Sequence, residues 1–481
     1  MSAARTRTTT PRARTRGPGA STDEAGGAVA VGSRTEAFAE LARARGEGAM
    51  VLLPRMLTGH DRRIHVRQTV REDHQNRIVT GVVDAGRKFD LLADSLFAFF
   101  RGSCLLFYRD LAGEDSWMPT VLTLGDVHPD NFGVMPNADN APVFGVDDFD
   151  EAFYAPFTWD LKRGAVGFLV GVAEAGGYGR GTQERTARAF LDGYVDAMHR
   201  YAGDLDETAG QMGLADAPPL IAEVLQESAS RSREKWLAKK YLDETGRRFH
   251  SSRRLEPVSA RVAEFQALVD RYVEVNDLQP PARAGGMRVK DVCLRHGQGV
   301  ASLGLERYYV LIEGPAADGT DDVVLEFKQA RRSALRGLVP PSPIELVGEA
   351  DRVKHAQRVQ LVGGDAFFGA VDLDGTSFMV RERSPYKNDV DLEDLSKGQW
   401  VDYARICGGV LAQAHALSDE AGLVDHDVEP DVIAAIGARD LFVDDVLGFA
   451  VEALDRLRAD HEHFRTDHAL GAFREVDRVY R

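Results

Sequence analysis

The run LGDVHPDNFG at residues 124–133 concentrates side chains that structural roles alone rarely require side by side. It holds the carboxylate of Asp126, the imidazole of His128 and the amide of Asn131, between two glycines. A second run, VFGVDDFD at 143–150, is strand-like and ends in acids. Carboxylate and amide oxygens suit a metal ion, and a carboxylate beside an imidazole suits acid–base chemistry.

One chemistry that uses Gly-Asp-x-His is phosphoester hydrolysis at a binuclear metal centre. That reading needs further ligands downstream, among them an Asn-His pair and a late pair of histidines. This chain contains no Asn-His, and His-x-His occurs only at His461 and His463 in a polar stretch near the C-terminus. The sequence therefore disfavours the binuclear centre.

Phosphoryl transfer from a nucleotide fits better, because the protein then mainly positions groups and neutralises charge. An Asp orients the acceptor hydroxyl and takes its proton, an Asn five residues later holds Mg²⁺, and a second Asp bridges metal and phosphates. Asp126, Asn131 and Asp148 have this order and spacing. We therefore predict a site for ATP and Mg²⁺, with Asp126 as the base and the other two residues as metal ligands.

The runs LGDVHPDNFG and VFGVDDFDEAFYAPFTWDLKRGA resemble the catalytic segment of the aminoglycoside-phosphotransferase and choline-kinase branch of the protein-kinase-like superfamily. The resemblance implies the roles just given. It also implies that Asp160 is a buried residue that braces the catalytic loop, and that His128 takes the place of a phosphate-contacting Lys. Leu124 departs from the branch, which usually has a bracing His at that position.

More closely, the chain resembles a bacterial family known as domain of unknown function 2252. The resemblance extends over about 45–480 and rests on several motifs in one order, including SLFAFFRGSCLLFYRDLA, GDVHPDNFG, LEFKQARRSAL and LAQAHALSD. The family name implies no substrate.

A kinase-like site also needs a lobe that covers the nucleotide, with a Gly-rich turn followed by a strand that carries a Lys. Residues 291–330 predict a three-stranded antiparallel meander, since DVCLRHG, LERYYVLIEG and DVVLEFKQA are rich in β-branched and aromatic residues. Alternation along the third strand turns Lys328 toward the cleft. The turn RHGQGVASLG supplies Gly297, Gly299 and Gly304 as phosphate binders, with an Ala where the middle Gly is expected.

The Lys of such a lobe normally pairs with an acid on the next helix, which the periodicity predicts over 342–362. By spacing, Glu349 is the preferred partner, and Glu345 is a second candidate. Gln357 and Arg358 on the same helix could serve instead.

The order of these segments predicts an α+β, bilobal protein-kinase-like fold whose chain is circularly permuted. A helical catalytic lobe over 35–285, with its loop at 124–150, precedes a small lobe of five antiparallel strands and one helix over 286–390. Residues 391–481 then return to the helical lobe. Permutation is tolerated where the original termini lie close together. The Arg-rich start, 1–34, predicts a disordered basic tail, with a transit peptide as the alternative.

The composition limits the partners. A net charge of −16 over 481 residues argues against a nucleic-acid binder, and no apolar run approaches the ~20 residues of a membrane span. The three cysteines lie far apart without a CxxC pair, which predicts neither a disulfide framework nor a zinc site and favours a reducing cytoplasm. The predicted partners are a nucleotide and an unknown acceptor, and the sequence leaves the oligomeric state open.

Other readings remain open at the level of sequence. Transfer of a nucleotidyl group to a protein (AMPylation) and non-catalytic nucleotide binding both fit the same segments. The basic run at 231–254 fits a solvated helix face or a surface for an anion. The acids at 147–151 could bind a cationic acceptor or simply surround the metal.

Overall fold

The protein, described by a computed structural model, has a mixed α+β fold. The structure describes residues 43, 54–75, 78, 83–203, 206–297, 304–422 and 424–474. Within these ranges the chain forms 13 α-helices and 11 β-strands, and the strands make three antiparallel sheets. The predicted basic tail, 1–34, and Gly299 lie outside the described residues.

The elements follow the chain in this order. The helices are α1 (Gly59–Asp73), α2 (Val83–Asp94), α3 (Leu96–Gly102), α4 (Cys104–Leu111), α5 (Phe157–Glu174), α6 (Arg180–Tyr201), α7 (Pro219–Ala229), α8 (Arg233–Lys240), α9 (Val262–Val275), α10 (Gly348–Gln360), α11 (Lys397–Ala416), α12 (Val428–Ile436) and α13 (Arg439–Ala469). The strands are β1 (Thr120–Thr123), β2 (Phe132–Pro136), β3 (Pro142–Val146), β4 (Phe153–Pro156), β5 (Leu255–Pro257), β6 (Val289–Arg295), β7 (Arg307–Ile312), β8 (Val323–Gln329), β9 (Gly369–Leu373), β10 (Thr376–Arg383) and β11 (Asn388–Asp389).

The largest sheet has six strands in the order β5-β6-β7-β8-β10-β9. It contains the predicted meander, β6 to β8, and a hairpin, β9 to β10, whose turn residues Asp374 and Gly375 have positive φ. One face packs apolar side chains such as Val310, Leu325 and Phe327 in a core shared with α9. Because β5 and α9 come from before residue 286, the unit built on this sheet starts earlier than the predicted small lobe.

A separate, larger core holds the helices together around α5. Nearly every residue of α5 from Phe157 to Val172 is buried, as expected of a helix that is apolar on all sides. Two charged residues on this helix, Asp160 and Arg163, are also fully buried. Since buried charges need partners, they mark the place where α5 supports something other than packing.

Two small sheets border the segment after β1. Strand β1 pairs with β4, and β2 lies between β11 and β3. The chain therefore leaves the first sheet at Thr123 and enters the second at Phe132, which confines the intervening residues, 124–131, to a short connection.

Cys104, Cys293 and Cys407 are buried and unpaired. No helix in the described ranges combines the length and apolar character needed to cross a bilayer. A cytoplasmic location stays a prediction.

Helices α6 and α11 approach each other unusually closely through glycine. A Cβ atom on Gly408 would fall far inside van der Waals contact with the backbone carbonyl of Phe190, and one on Gly193 would do the same against Arg405. The neighbouring Gly409 has ordinary space, with Ala197 Cβ at 3.8 Å. The crossing point matters for the site, because α11 carries His415 in its last turn.

We predict that Gly408→Ala lowers the free energy of unfolding by about 1–3 kcal/mol, because the added methyl must push the two helices apart. Gly409→Ala is the matched control, and we expect it to be neutral or to stabilise by up to about 1 kcal/mol through helix propensity. Urea unfolding followed by circular dichroism measures both. Equal effects of the two substitutions would contradict a tight crossing at Gly408.

Candidate active site

The backbone of the connection at 124–131 is held by a carboxylate on helix α5. Asp160 on α5 accepts hydrogen bonds from the backbone N–H groups of Leu124 (2.6 Å) and Gly125 (3.0 Å). Gly125 has φ +74°, and a Cβ there would lie 2.5 Å from the carbonyl oxygen of Glu151. Glycine is therefore required for both the backbone angle and the close approach.

A buried histidine reaches the same carboxylate from α11. His415 Nε2 lies 3.1 Å from Asp160 Oδ2, and its Nδ1 lies 3.0 Å from the hydroxyl of Tyr194 on α6. All three side chains are fully buried. Asp160 is thus connected directly to α11, far along the chain, and through His415 to the neighbouring helix α6, so the support of the loop involves the α6–α11 crossing.

The loop presents Asp126 to a buried arginine. Asp126 Oδ1 accepts hydrogen bonds from Arg163 Nε (2.9 Å) and Nη2 (2.6 Å). The same guanidinium donates to the carbonyl oxygen of Phe100 (2.9 Å) and lies 4.1 Å from the centre of the Phe100 ring. Arg163 is fully buried, so its charge is compensated by Asp126 and by aromatic faces instead of water.

This environment keeps Asp126 ionised. Burial alone raises the pKa of the Asp126 carboxyl, but the charges of Arg163 and His128 outweigh burial and hold that pKa well below its usual value. The His128 ring is itself buried, with Nε2 3.6 Å from Asp126 Oδ2. His128 therefore lies against Asp126, and direct contact with a phosphate stays a prediction.

Asn131 closes the loop on itself. Its side-chain Nδ2 donates to the backbone carbonyl of Asp126 (2.6 Å). Since a carbonyl can only accept, the amide nitrogen must face it, and the amide oxygen is left for another partner. The backbone of Asn131 also accepts from the N–H of Asp147 (3.2 Å), which ties the loop to the acids after β3.

The acids after β3 meet the lysine of β8. Lys328 Nζ lies 2.5 Å from Asp150 Oδ2 and 3.9 Å from Asp148 Oδ1. Partial burial raises the pKa of the Asp148 carboxyl, but the charges of Lys328 and Arg381 outweigh this effect and lower the pKa below its usual value. The negative charge of Asp126 also raises it. The structure thus places residues 126, 131, 148 and 328, which the sequence predicts to share a site, in the same region of the molecule.

The predicted partner of Lys328 needs correction. Glu349 on α10 pairs with Arg336 and, at 3.0 Å, with Arg352 Nε, whereas Lys328 pairs with Asp150. Arg358, a further candidate, donates to backbone carbonyls of Asn276 and Phe368. Sequence spacing could not reveal the Lys328–Asp150 pair, because the two residues are about 180 positions apart in the sequence and meet only in the folded chain.

Most of the acids that were candidates for binding a cationic acceptor are already engaged. Asp147 pairs with Lys387 at 2.5 Å, Asp150 with Lys328, and Glu151 with Arg331. Burial also raises the pKa of the Glu151 carboxyl to about 7, against the lowering effect of Arg331. Of the four, Asp148 keeps the most exposed side chain, at 38%.

The two glycines at the ends of the predicted Gly-rich turn have positive φ angles, which glycine adopts more readily than other residues. Gly297 has φ +64° and Gly304 has φ +83°. A cavity of about 380 Å³ lies beside Leu305, just after this turn, and its lining includes Arg109, Arg331 and Arg332. This cavity opens near the Arg331–Glu151 pair rather than at Asp148.

Comparison with known protein families shows to which family the chain belongs. A family model described as uncharacterized protein conserved in bacteria, DUF2252, matches residues 85–467. The chain belongs to the DUF2252 family. None of the curated proteins and none of the solved structures gives a significant match.

Several residues at the centre of this DUF2252 chain were not predicted. Arg163 carried a usable signal, since it follows Asp160 by three residues and so shares its helix face. Arg307, Arg381 and Arg383 carried no such signal, because they come from strands whose pairing sets which residues meet.

We predict that Asp126→Ala destabilises the protein by about 3–5 kcal/mol, because it leaves the Arg163 guanidinium buried without its carboxylate. The double variant Asp126→Ala/Arg163→Met removes both charges, and we expect it to regain much of that loss. Chemical unfolding measures both.

Asp148→Ala is the control for this prediction, since its half-exposed carboxylate makes only a 3.9 Å contact with Lys328 and accepts one backbone N–H. We expect it to change stability by less than about 1 kcal/mol. If Asp126→Ala were as stable as Asp148→Ala, the Asp126–Arg163 pair would not support the loop.

Proposed function

We propose that this protein is an ATP- and Mg²⁺-dependent phosphotransferase with a circularly permuted kinase-like fold. The proposal rests on one observation: Asp148, next to the 124–131 loop, lies beside Lys328 of the six-stranded sheet. Lys328 Nζ is 3.9 Å from Asp148 Oδ1. A base, metal-ligating oxygens and a strand Lys are the parts that phosphoryl transfer requires.

The order of elements around Lys328 supports the nucleotide lobe. Lys328 lies on the third strand of the run β6-β7-β8, the helix α10 follows, and the hairpin β9-β10 completes the sheet. In protein kinases the phosphate-binding Lys is also on the third strand, before a helix.

Contacts of α11 support the permutation. The hydroxyl of Ser418, just after α11, accepts from the backbone N–H of Leu122 (2.9 Å), and His415 reaches Asp160. The end of a helix far along the chain therefore lies at the entry to the 124–131 loop, where a helix preceding the loop in sequence would end in an unpermuted chain.

The oxygen donors present fit Mg²⁺, which prefers carboxylate and amide oxygens. Asn131 offers its amide oxygen, since its nitrogen is held by Asp126. Asp148 offers a partly exposed carboxylate, and the charges of Lys328 and Arg381 lower its pKa although partial burial raises it. When bound, the ion would neutralise charge on the phosphates.

The remaining roles belong to the same proposal and are consistent with the contacts described above. Asp126 uses Oδ1 for Arg163, so Oδ2 is the oxygen that can receive the acceptor hydroxyl and its proton. Lys328 would exchange its contact with Asp150 for a phosphate oxygen. Asp160 and His415 keep the loop in place without touching the reactants.

We predict that Asp148→Ala and Lys328→Met each lower acceptor-dependent ATP turnover at least about 100-fold, since each removes a charge contact of several kcal/mol to the transferred group. Asp139→Ala, in the exposed turn between β2 and β3, is the matched control and should behave like wild type. ADP release from the full chain, measured across acceptor libraries with and without EDTA, tests this. Turnover that survives in Asp148→Ala or in EDTA would refute the proposal.

Labelled ATP separates the alternatives. Label transferred from the γ-phosphate supports phosphoryl transfer, and label transferred from the α-phosphate supports AMPylation instead. Mg²⁺-dependent ATP binding without turnover of any acceptor would indicate a non-catalytic nucleotide-binding module.

A further inference from the structure

An exposed basic surface lies on α8 and on the segment that leads from it to β5. It consists of side chains from the basic run at 231–254, all of them exposed: Lys235, Lys239, Lys240, Arg247, Arg248, Arg253 and Arg254. The acids of the same run are Glu234, Asp243 and Glu244. Cations therefore outnumber acids on this surface, although the whole chain has a net charge of −16.

The charges of the basic surface are not used within the protein. None of its seven side chains has a hydrogen-bond or ion-pair partner in the part of the chain that the structure describes. The Lys240 ammonium shows the resulting potential, because its pKa is lowered by partial burial and by the charges of Arg383 and Arg231. A lysine whose charged neighbours disfavour its own charge lies in a positive potential, which attracts anions.

The basic surface is fixed to the six-stranded sheet. Leu237 of α8 and Phe249 of the following turn pack in a core with side chains of β6, β7 and β8. The backbone N–H of Phe249 also donates to Asp291 on β6 (2.8 Å). Lys235 and Lys239 are four residues apart and so share one face of α8. The cations thus project from a segment that is held on its other side, and they keep a defined spacing.

The basic surface begins close to the acids that follow β3. Arg231, two residues before α8, donates to the backbone carbonyl oxygen of Lys387 (2.9 Å). The side chain of Lys387 in turn pairs with Asp147, which precedes Asp148 in the chain. A partner held on α8 would therefore lie beside the candidate active site and leave Asp148 accessible.

The form of the basic surface favours a protein with an acidic segment as its partner. The surface is exposed and includes the whole of α8, about 12 Å long, whereas small ligands are held in concave pockets. The aromatic side chains Trp236, Tyr241 and Phe249 pack against the sheet. None of the strongly exposed large apolar side chains among the described residues comes from this run. A bilayer or a stack of nucleic-acid bases would therefore find little apolar contact here.

We propose that the basic surface is a docking surface for an acidic segment of a protein acceptor, which it holds beside the candidate active site. This inference rests on the proposed function for the role of that protein as an acceptor. The γ-phosphoryl group of ATP would pass to a hydroxyl of the docked protein, with ADP as the leaving group and the hydroxyl proton taken by Asp126. The net negative charge of the rest of the chain would repel an acidic segment and so restrict it to this surface.

Fluorescence anisotropy on the full chain tests the docking surface without any turnover. The probe is a short fluorescein-labelled peptide of alternating Glu and Ser, and the reference peptide has Gln in place of each Glu. We expect the Glu peptide to bind, its affinity to fall as sodium chloride is raised, and the Gln peptide to fail. Equal binding of the two peptides, or no binding of the Glu peptide at low salt, would overturn the inference.

Lys235 and Lys239 are the residues to change, because both are exposed and neither loses an internal partner. Lys235→Gln/Lys239→Gln should weaken binding of the Glu peptide at least about 5-fold, since it removes two contacts between opposite charges. Arg458→Gln/Arg465→Gln removes two exposed arginines of α13 and changes the net charge equally, so it is the matched control and should bind like wild type. Thermal unfolding shows whether both variants fold. Equal affinities of the two variants for the peptide would contradict a docking surface on α8.

Other anionic partners provide a further comparison. A single-stranded DNA oligomer of the same net charge as the Glu peptide, and vesicles that contain phosphatidylserine, are titrated under the same conditions. We expect both to bind more weakly than the Glu peptide. Tighter binding of either one, lost in Lys235→Gln/Lys239→Gln, would overturn the assignment of an acidic protein as the partner.

Failure here differs from failure of the proposed function. If Mg²⁺-dependent ATP turnover requires Asp148 but the Glu peptide does not bind, the docking surface is refuted and the phosphotransferase stands. If the Glu peptide binds through Lys235 and Lys239 but ATP is never turned over, docking stands, and the proposed reaction falls together with the acceptor role of the partner.

Discussion

The candidate site depends on one turn of the buried helix α5, which delivers two opposite charges to the same loop. Asp160 accepts the N–H groups of Leu124 and Gly125, and Arg163, three residues later, holds Asp126. Residues three apart on a helix share a face, so both contacts come from one rigid element. A loop that follows a short strand of a two-stranded sheet would otherwise have few contacts to define its shape.

Buried charge is tolerated around this loop because each group has a specific partner. Asp160 has two backbone donors and His415, and Asp126 has Arg163. Removing a single partner would leave a charge without compensation, so the loop and its supports act as a unit.

The acids beside the loop illustrate how the fold selects among chemically equivalent residues. Asp147, Asp148, Asp150 and Glu151 are neighbours in sequence and look interchangeable there. In the structure, three of them are held by Lys387, Lys328 and Arg331, and Asp148 keeps the most exposed carboxylate. The cationic partners come from β8, from the segment after it and from the segment after β10. The availability of Asp148 is therefore a property of the packed sheet and not of the local run.

From the sequence alone came the meander predicted over 291–330, which the structure forms at 289–329, the helix predicted over 342–362, which spans 348–360, and the spacing of Asp126 to Asn131. These depend on alternation, helical periodicity and turn residues, all of which act over short stretches of chain. Only the tertiary structure decided that Lys328 pairs with Asp150 instead of Glu349, that Arg163 meets Asp126, and that Arg307 and Arg381 share the carboxylate of Glu326. Those outcomes depend on strand register and helix crossing between distant segments. The physical reason is that electrostatic partners are chosen by distance in space, and a single sequence specifies that distance only after the core has packed.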